Sequence, residues 1–368
     1  MWYQLHSPDS VDSPSLLVYK ERVADNIQTM QNFVNGQADR LVPHVKTHKM
    51  KEVVQMQLAA GINKFKCATI AEAEMLAEAG APWVLLAYQL VGPKVDRYLA
   101  LAKHYPQVQF GSLVDNDATA HYLNNRCGET GSTLGVFIDV NNGMDRSGHP
   151  INGQLLPLYQ TLSKLPNLRL QGLHVYDGHI RNEDFAERTK ASDAAFEKVY
   201  ELREHIRNLG QPEPMIIAGG SPTFTVHAQR EGIYCSPGTC LLWDWGYGDR
   251  FQDQPFSHAA VLLTRVISKP APGIITTDLG HKAVAAENPI DLRFRFLNLE
   301  GYQVMSQSEE HGVVQVSNWD NIQVGQVLYA IPYHICPTVA LHDSAFIIEN
   351  GEVVDKWRVV ARNRTLTF

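Results

Sequence analysis

The sequence predicts an α/β fold: an N-terminal (β/α)8 barrel over residues 21–254, and a C-terminal, mainly β domain made of residues 255–368 together with 1–20. Three observations carry this expectation. Eight short apolar runs lie between residues 42 and 238 and alternate with stretches of helical periodicity, the rhythm of βα units that feed a parallel sheet and, at eight, close a barrel. No GxGxxG motif follows the first run, which weakens the alternative of an open, dinucleotide-binding sheet. After residue 255 strand-like runs follow one another across turn residues, with no long helix between them.

Taken in order, residues 1–14 read as a loose leader. "SLLVYK" (15–20) reads as a strand that joins the β domain, because it precedes the first barrel helix at about 21–36. The barrel runs are "VPHVKT" (42–47), "KFKCAT" (64–69), "WVLLAY" (83–88), "FGSLVD" (110–115), "GVFIDV" (135–140), "LQGLHV" (170–175), "MIIAGG" (215–220) and "GIYCSPG" (232–238). Helical patterns lie near 49–60, 70–79, 93–104, 116–125, 153–164 and 185–209, with a shorter one after 221. In the second domain, strands are expected in "HAAVLLTRVISK" (258–269), "GIITTDLG" (273–280), "YQVMSQSEEHGVVQV" (302–316), "QVLYAIP" (326–332) and "AFIIENGEVVDKWRVV" (345–360). "ENGE" (349–352) marks a hairpin, since Asn-Gly suits a type I′ turn.

Composition narrows the function classes. Hydrophobic residues make up 44% and charged residues 19% of the 368, an ordinary globular profile with enough length for two domains. A formal net charge of -7 argues against a nucleic-acid partner, which needs a basic footprint. No apolar run reaches 18 residues, and the first residues lack the basic and apolar regions of a secretory signal. The cysteines, Cys67, Cys127, Cys235, Cys240 and Cys336, are odd in number and contain no CxxC. A cytoplasmic protein with no membrane contact and no disulfide framework is expected.

The candidate chemistry begins at "VPHVKTHK" (42–49). A lysine within a core run costs several kcal/mol of desolvation unless it is neutral, paired or covalently used. Lys46 falls near the end of the first barrel strand, the end that faces the mouth of a barrel. If the segment is extended, His44 and His48 flank Lys46 on one strand face, and burial beside positive charge would favour the neutral amine that a Schiff base requires. The plainer reading is a lysine that snorkels to solvent. The loops "GGSPT" (219–223) and "SPGT" (236–239) close the last two barrel runs, where backbone N–H groups of small residues often cradle phosphate. His334 and Cys336 form an H-x-C pair whose side chains share a face if the segment is extended, and imidazole with thiolate is a zinc donor set. A buried cysteine beside a satisfied histidine is the plainer account of that pair.

"PHVKTHK" (43–49) strongly resembles the cofactor-lysine segment of the D-threonine aldolase and D-serine dehydratase family. These pyridoxal phosphate enzymes have the alanine-racemase-like fold, PLP fold type III, and are usually dimeric. The resemblance extends through "IDVNNGMDRSG" (138–148), "GLHVYDGH" (172–179), "AGGSPTF" (218–224), "SPGTCLLWD" (236–244), "SEEHG" (308–312) and "HICPT" (334–338), motifs in order along the whole chain. It implies pyridoxal 5'-phosphate carried by Lys46, with Arg146 near the cofactor ring and Tyr176 in contact with it. It implies His179 in the catalytic pocket, and a phosphate cup of Gly220, Ser221, Thr223, Gly238 and Thr239. It implies a divalent metal on His334 and Cys336, zinc by the softness of the thiolate or manganese, beside the cofactor and in reach of the substrate's β-hydroxyl group. Asp278, His281, Lys282, Glu309, Glu310 and His311 resemble pocket-approaching segments without assigned roles.

The resemblance implies a homodimeric lyase of D-3-hydroxy amino acids, with D-serine, D-threonine and D-threo-3-hydroxyaspartate all suitable substrates. Two branches compete. A dehydratase removes the α-proton with Lys46 and expels the hydroxyl polarised by the metal, ending in a 2-oxo acid and ammonia. An aldolase deprotonates the hydroxyl and breaks Cα–Cβ, giving glycine and an aldehyde. Aldolases of this group tend to carry GHxxH and an aspartate in the metal pair; here Asn182 and Cys336 stand at those places, and an amide cannot act as a general base. Both departures favour the dehydratase. An amino-acid racemase would need a second base across the ring and has no use for the metal pair. A non-enzymatic pyridoxal phosphate homeostasis protein would not need the β domain.

Overall fold

The computed structural model describes every residue from Met1 to Phe368 and has the expected α/β barrel and β-rich domain. Two compact units are present: one of residues 30–46, 54–238 and 363–368, the other of residues 1–29, 47–53 and 239–362.

In chain order, β1 (Ser15–Tyr19) belongs to the second unit. The first unit is the barrel. Its strands β2 (Lys64–Cys67), β3 (Trp83–Gln89), β4 (Gln109–Val114), β5 (Leu134–Asn141), β7 (Leu168–Val175), β8 (Met215–Ala218) and β9 (Ile233–Cys235) follow one another in parallel, and the two-residue β6 (His149–Pro150) lies beside β5. The helices α1 (Lys20–Phe33), α2 (Lys51–Ala59), α3 (Ile70–Glu78), α4 (Pro93–His104), α5 (Asp117–Glu129), α6 (Leu155–Leu162), α7 (Phe185–Asn208) and α8 (Phe224–Ala228) punctuate the strands where helical periodicity places them. Polar caps fix several starts. The Thr69 hydroxyl accepts the Glu72 N–H at 3.1 Å while the Glu72 carboxylate accepts the Ala68 N–H at 2.7 Å, a reciprocal cap on α3. Asn116 and Asp184 cap α5 and α7, each side chain accepting the N–H three residues on, from Thr119 and Glu187.

The eighth staff of the barrel corrects the expectation for "VPHVKT". Residues 41–45 are not a regular strand. Leu41 bridges Cys235 and His44 bridges Lys66, and that is enough to close the ring. The Val42 and His44 N–H groups donate to Cys235 and Pro237, each at 2.8 Å, and on the other side Val45 and Lys66 donate to Lys66 and Pro43, each at 2.9 Å. Pro43 supplies no N–H to this ladder, so pairing is partial. The chain then turns over residues 45–48, and Lys46 therefore stands in a turn at the barrel rim.

Val42, Trp83, Leu85, Leu113, Phe137 and Ile217 pack together as an apolar plug drawn from five staves. Side chains two apart on a strand share a face, so Asp139 follows Phe137 on the inner side of β5. Polar groups thus replace apolar ones toward the C-terminal ends of the strands.

The second unit holds one mixed sheet. Its strands are β1, β10 (Ala260–Ala271), β11 (Ile274–Thr277), β12 (Phe294–Phe296), β13 (Tyr302–Gln307), β14 (Gly312–Val316), β15 (Val327–Pro332), β16 (Ser344–Glu349) and β17 (Glu352–Arg358), ordered β13-β14-β11-β10-β1-β16-β17, with β15 bridging β10 and β12. The early "SLLVYK" strand joins this sheet, antiparallel to β10 and parallel to β16. The β16–β17 hairpin turns through Asn350 and Gly351 at φ of 50° and 78°, the left-handed pair that a type I′ turn requires. The short helices α9 (Trp245–Arg250) and α10 (Ile335–Val339) also lie in this unit. No helix in the chain is long and apolar enough to cross a membrane.

Candidate active site

A cavity of about 370 Å³ opens at the C-terminal ends of the barrel strands. It brings together three of the expected residues, Lys46, Arg146 and Tyr176, and adds Lys66, Gln89 and His174. The sequence directed attention to the wrong lysine as the buried one. Lys46 is half-buried in its turn, its N–H donating to His44 Nδ1 at 3.2 Å. Lys66, on β2, is only 3% exposed. Burial, with the charges of Lys46 and Arg146, pushes the Lys66 amine down to about 7. His48 does not flank Lys46 on a strand face. It belongs to the other compact unit, fully buried, where its Nδ1 accepts the Met50 N–H at 3.2 Å.

A chain of hydrogen bonds holds the cavity floor. Lys66 Nζ lies 3.4 Å from His174 Nε2, and His174 Nδ1 lies 2.8 Å from the Asp139 carboxylate. Asp139 also accepts the Gln89 amide at 2.8 Å and the Ser147 hydroxyl at 2.9 Å. Burial alone would raise the Asp139 carboxyl, but these partners outweigh it and hold the group below the usual carboxylate range. Burial and the Lys66 charge together lower His174, which is therefore neutral, with Nδ1–H on Asp139 and Nε2 as the acceptor for Lys66.

The loop after β5 folds Arg146 back over the cavity. Asn141 Oδ1 accepts the N–H groups of Gly143 and Asp145, both at 3.1 Å, and its amide donates to the Asp145 carboxylate at 2.8 Å. Arg146 then lays its guanidinium 4.4 Å from the centre of the Tyr176 ring. His179, three residues beyond Tyr176, is exposed and is not among the side chains that line the cavity.

The two small-residue loops meet. The Ser221 hydroxyl accepts the Gly238 N–H at 3.1 Å. Behind them the Thr223 hydroxyl donates to Asp177 at 2.6 Å, and the other Asp177 oxygen takes His227 Nε2 at 2.7 Å. Thr223, expected at the phosphate, thus donates its proton to an internal brace. Asp177 is fully buried, yet His227, Thr223 and Arg230 overcome the burial effect and keep its carboxyl low. Gly219, at φ of 72°, and Gly220 leave room that side chains would fill: a Cβ would lie 2.5 Å from the His227 ring at Gly219 and 2.9 Å from the Tyr176 ring at Gly220. A lysine at the rim, surplus positive charge in the cavity and an open glycine loop fit a phosphorylated aromatic aldehyde. Thr239 lies in the other unit, where its hydroxyl is 3.7 Å from Cys336 Sγ.

His334 and Cys336 come together by a different route from the expected strand. β15 ends at Pro332, His334 is the N-cap of α10, and Cys336 lies in the first turn of that helix. Asp244 fixes this start: one of its oxygens accepts the Ile335 N–H and the other the Tyr247 N–H of α9, both at 3.0 Å. His334 Nδ1 pairs with Glu287 at 2.6 Å, so Nε2 is the ring nitrogen left for Cys336. Burial would lower the imidazole, but bonding to Cys336 and the acids Asp244 and Glu287 hold it up at about 9. A carboxylate behind an imidazole beside a thiol fits a soft divalent ion. No group of three or more His, Cys, Asp or Glu side chains is placed to hold a metal, so such an ion would have two protein ligands and open positions. Asp278 is used within the β unit, accepting the Thr264 hydroxyl at 2.5 Å and the Arg265 N–H at 2.9 Å, while Lys282 and Glu310 form an exposed pair.

Comparison with known proteins gives a consistent picture. The model of the alanine racemase N-terminal domain matches residues 18–244, and that of a serine dehydratase domain matches residues 259–348. A D-threonine aldolase of Arthrobacter sp is 29% identical over 96% of this chain and 93% of its own length. A D-threo-3-hydroxyaspartate dehydratase of Delftia sp. is 26% identical over 90% of this chain and 92% of its own. The crystal structure of D-threonine aldolase from Filomicrobium marinum superposes with a TM-score of 0.88 at 25% identity, covering 96% of both chains.

Two outcomes are expected from this geometry. The unfolded chain holds a Lys66 proton up to the ordinary lysine range near 10.5, whereas the native chain releases it near 7. Stability of the ligand-free protein therefore rises with pH across that window, and Lys66→Met removes that part of the slope in denaturant titrations at successive pH values. Gly220→Ala pushes the Tyr176 ring out of place and weakens pyridoxal phosphate binding about tenfold or more, read by absorbance titration, with the far-UV spectrum unchanged.

Proposed function

The chain belongs to the family defined by the alanine racemase N-terminal domain, and from that membership we propose that it is a pyridoxal phosphate-dependent lyase that cleaves the Cα–Cβ bond of D-3-hydroxy amino acids. The observation that carries the choice of bond is the end-to-end match to D-threonine aldolases, at 29% identity in sequence and a TM-score of 0.88 in structure. The cofactor, when bound, supplies an electron sink for the charge released at Cα.

The residues take the following parts. Lys46, half-buried at the rim of the cavity, holds the cofactor covalently. Gly220, Ser221 and Gly238, whose loops meet through Ser221, would receive the phosphate, and Tyr176 and Arg146, stacked on one another, would hold the cofactor ring. His334 and Cys336 hold a divalent ion, zinc by preference for the thiolate, which supplies Lewis acidity toward a hydroxyl oxygen. His179, exposed just outside the cavity lining and free of an internal ion pair, would accept the hydroxyl proton in place of the residue at 182, an asparagine whose backbone carbonyl accepts Arg188 at 2.7 Å.

Dehydration is the second reading, favoured by Asn182 and Cys336 and by the serine dehydratase model that matches residues 259–348. Lys46 would then take the α-proton, and the hydroxyl would leave with the help of the ion. The products separate the two. With D-threonine and added Zn²⁺ or Mn²⁺, glycine and acetaldehyde are expected; 2-oxobutyrate and ammonia instead would assign the dehydratase, and no turnover of D-threonine, D-serine or D-threo-3-hydroxyaspartate would exclude both. Glu287→Gln removes the carboxylate behind His334 and lowers metal affinity roughly 10–100-fold, measured by competition with a chromophoric chelator, while Cys336→Ala emerges from dialysis without bound metal.

A further inference from the structure

The cavity holds a second lysine for which the functional reading above has no use. Lys66 projects from β2 into the same space as Lys46, buried, with its Nζ held by His174. His174 can accept only one of its hydrogens, because the tautomer is fixed by Asp139 on the other ring nitrogen. The remaining Lys66 hydrogens have the cavity as their outlet.

The cavity lining carries bases and no acid. Lys46 in the rim turn, Lys66 on β2 and Arg146 on the loop after β5 are three bases around one space. No carboxylate lines that space: behind its wall Asp139 on β5 accepts from His174, Gln89 and Ser147, Asp115 after β4 accepts from Gln89 and the Gly148 N–H, and Asp177 after β7 accepts from His227 and Thr223. His174 is neutral, and Tyr176 offers Lys66 only its ring, 5.6 Å away. The surplus positive charge calls for an anionic oxygen on whatever fills the cavity.

We propose that Lys66, aligned by the His174–Asp139–Gln89 chain, is a second cationic contact for the anionic ring oxygen of bound pyridoxal phosphate and thereby sets the pH at which the Lys46-linked cofactor loses its proton. The inference rests on the pyridoxal phosphate reading and adds to it a residue that the family motifs did not single out. The direction follows from electrostatics. A cation beside the ring oxygen repels the proton on the nearby Lys46–cofactor nitrogen and weakens the oxygen's hold on it, so that proton leaves to solvent at lower pH. The lowered affinity of Lys66 for its own proton means that the two titrations are coupled, and the measured midpoint belongs to the pair.

The test is an absorbance titration of the cofactor-loaded protein across the pH range, in wild type, Lys66→Met, Lys66→Gln and Lys66→Arg. The two neutral variants should move the midpoint of the long-wavelength band upward by about one pH unit or more, and Lys66→Arg should keep it at or below that of wild type. His174→Gln, which leaves Lys66 in place but breaks its alignment, should move the midpoint in the same direction by less. Lys66→Met removes a buried charge and is not expected to impair folding, so the comparison stands even if the bulkier arginine is not accommodated. Wild-type midpoints in both neutral variants would overturn the proposal and make Lys66 a brace for His174. Failure of wild type to form any coloured adduct would overturn the functional reading, and this inference with it.

Discussion

The buried Asp139 carboxylate is the fixed charge about which the cavity is organised. It stands two residues beyond Phe137 on the inner face of β5, where the apolar plug gives way to polar groups. Ionised inside a barrel, it is tolerable only because it accepts hydrogen bonds from His174, Gln89 and Ser147. Those bonds propagate outward. His174 is set in one tautomer, its free nitrogen orients Lys66, and Ser147 anchors the loop that returns Arg146 over Tyr176. One charge therefore positions groups from three other strands and one loop. Asp177 does the same for the neighbouring glycine loop through Thr223 and His227.

Much of this architecture is legible in the sequence because it follows from period and punctuation. The alternating βα runs, the switch to β after residue 255, the Asn-Gly hairpin and the return of "SLLVYK" to the second sheet all rest on local patterns that the chain obeys. What fails is the first barrel stave. "VPHVKT" has the alternation of a strand, but its proline limits pairing to two bridges and releases Lys46 into a turn. The expectation that His44 and His48 share a face with Lys46 depended on extended geometry and disappears with it.

The candidate site is legible where a loop motif announces it and illegible where it is carried by strand interiors. Arg146 and Tyr176 follow strand ends and line the cavity, and Ser221 follows another strand end and meets the Gly238 loop. Lys66, Asp139 and His174 sit within runs quoted for their apolar rhythm. The signal was present: a charged or imidazole residue inside a run otherwise fit for a parallel, doubly buried strand needs a partner, and three such residues facing the interior of one barrel can supply one another. The H-x-C pair shows the reverse case. The proximity was expected from strand alternation, whereas a helix N-terminus capped by Asp244 produces it. Glu287 is distant in sequence and carries no local mark, so only the fold reveals it behind His334.

The account turns on which amine in the barrel holds the cofactor, since a half-buried lysine at the rim and a fully buried one share the same cavity. Borohydride reduction of the pyridoxal phosphate-loaded protein, followed by proteolysis and mass spectrometry, reads this directly. A phosphopyridoxyl group on the peptide that contains Lys46, with Lys66 unmodified, is the predicted result. The group on Lys66, or on neither lysine, would contradict the assignment on which the functional reading rests.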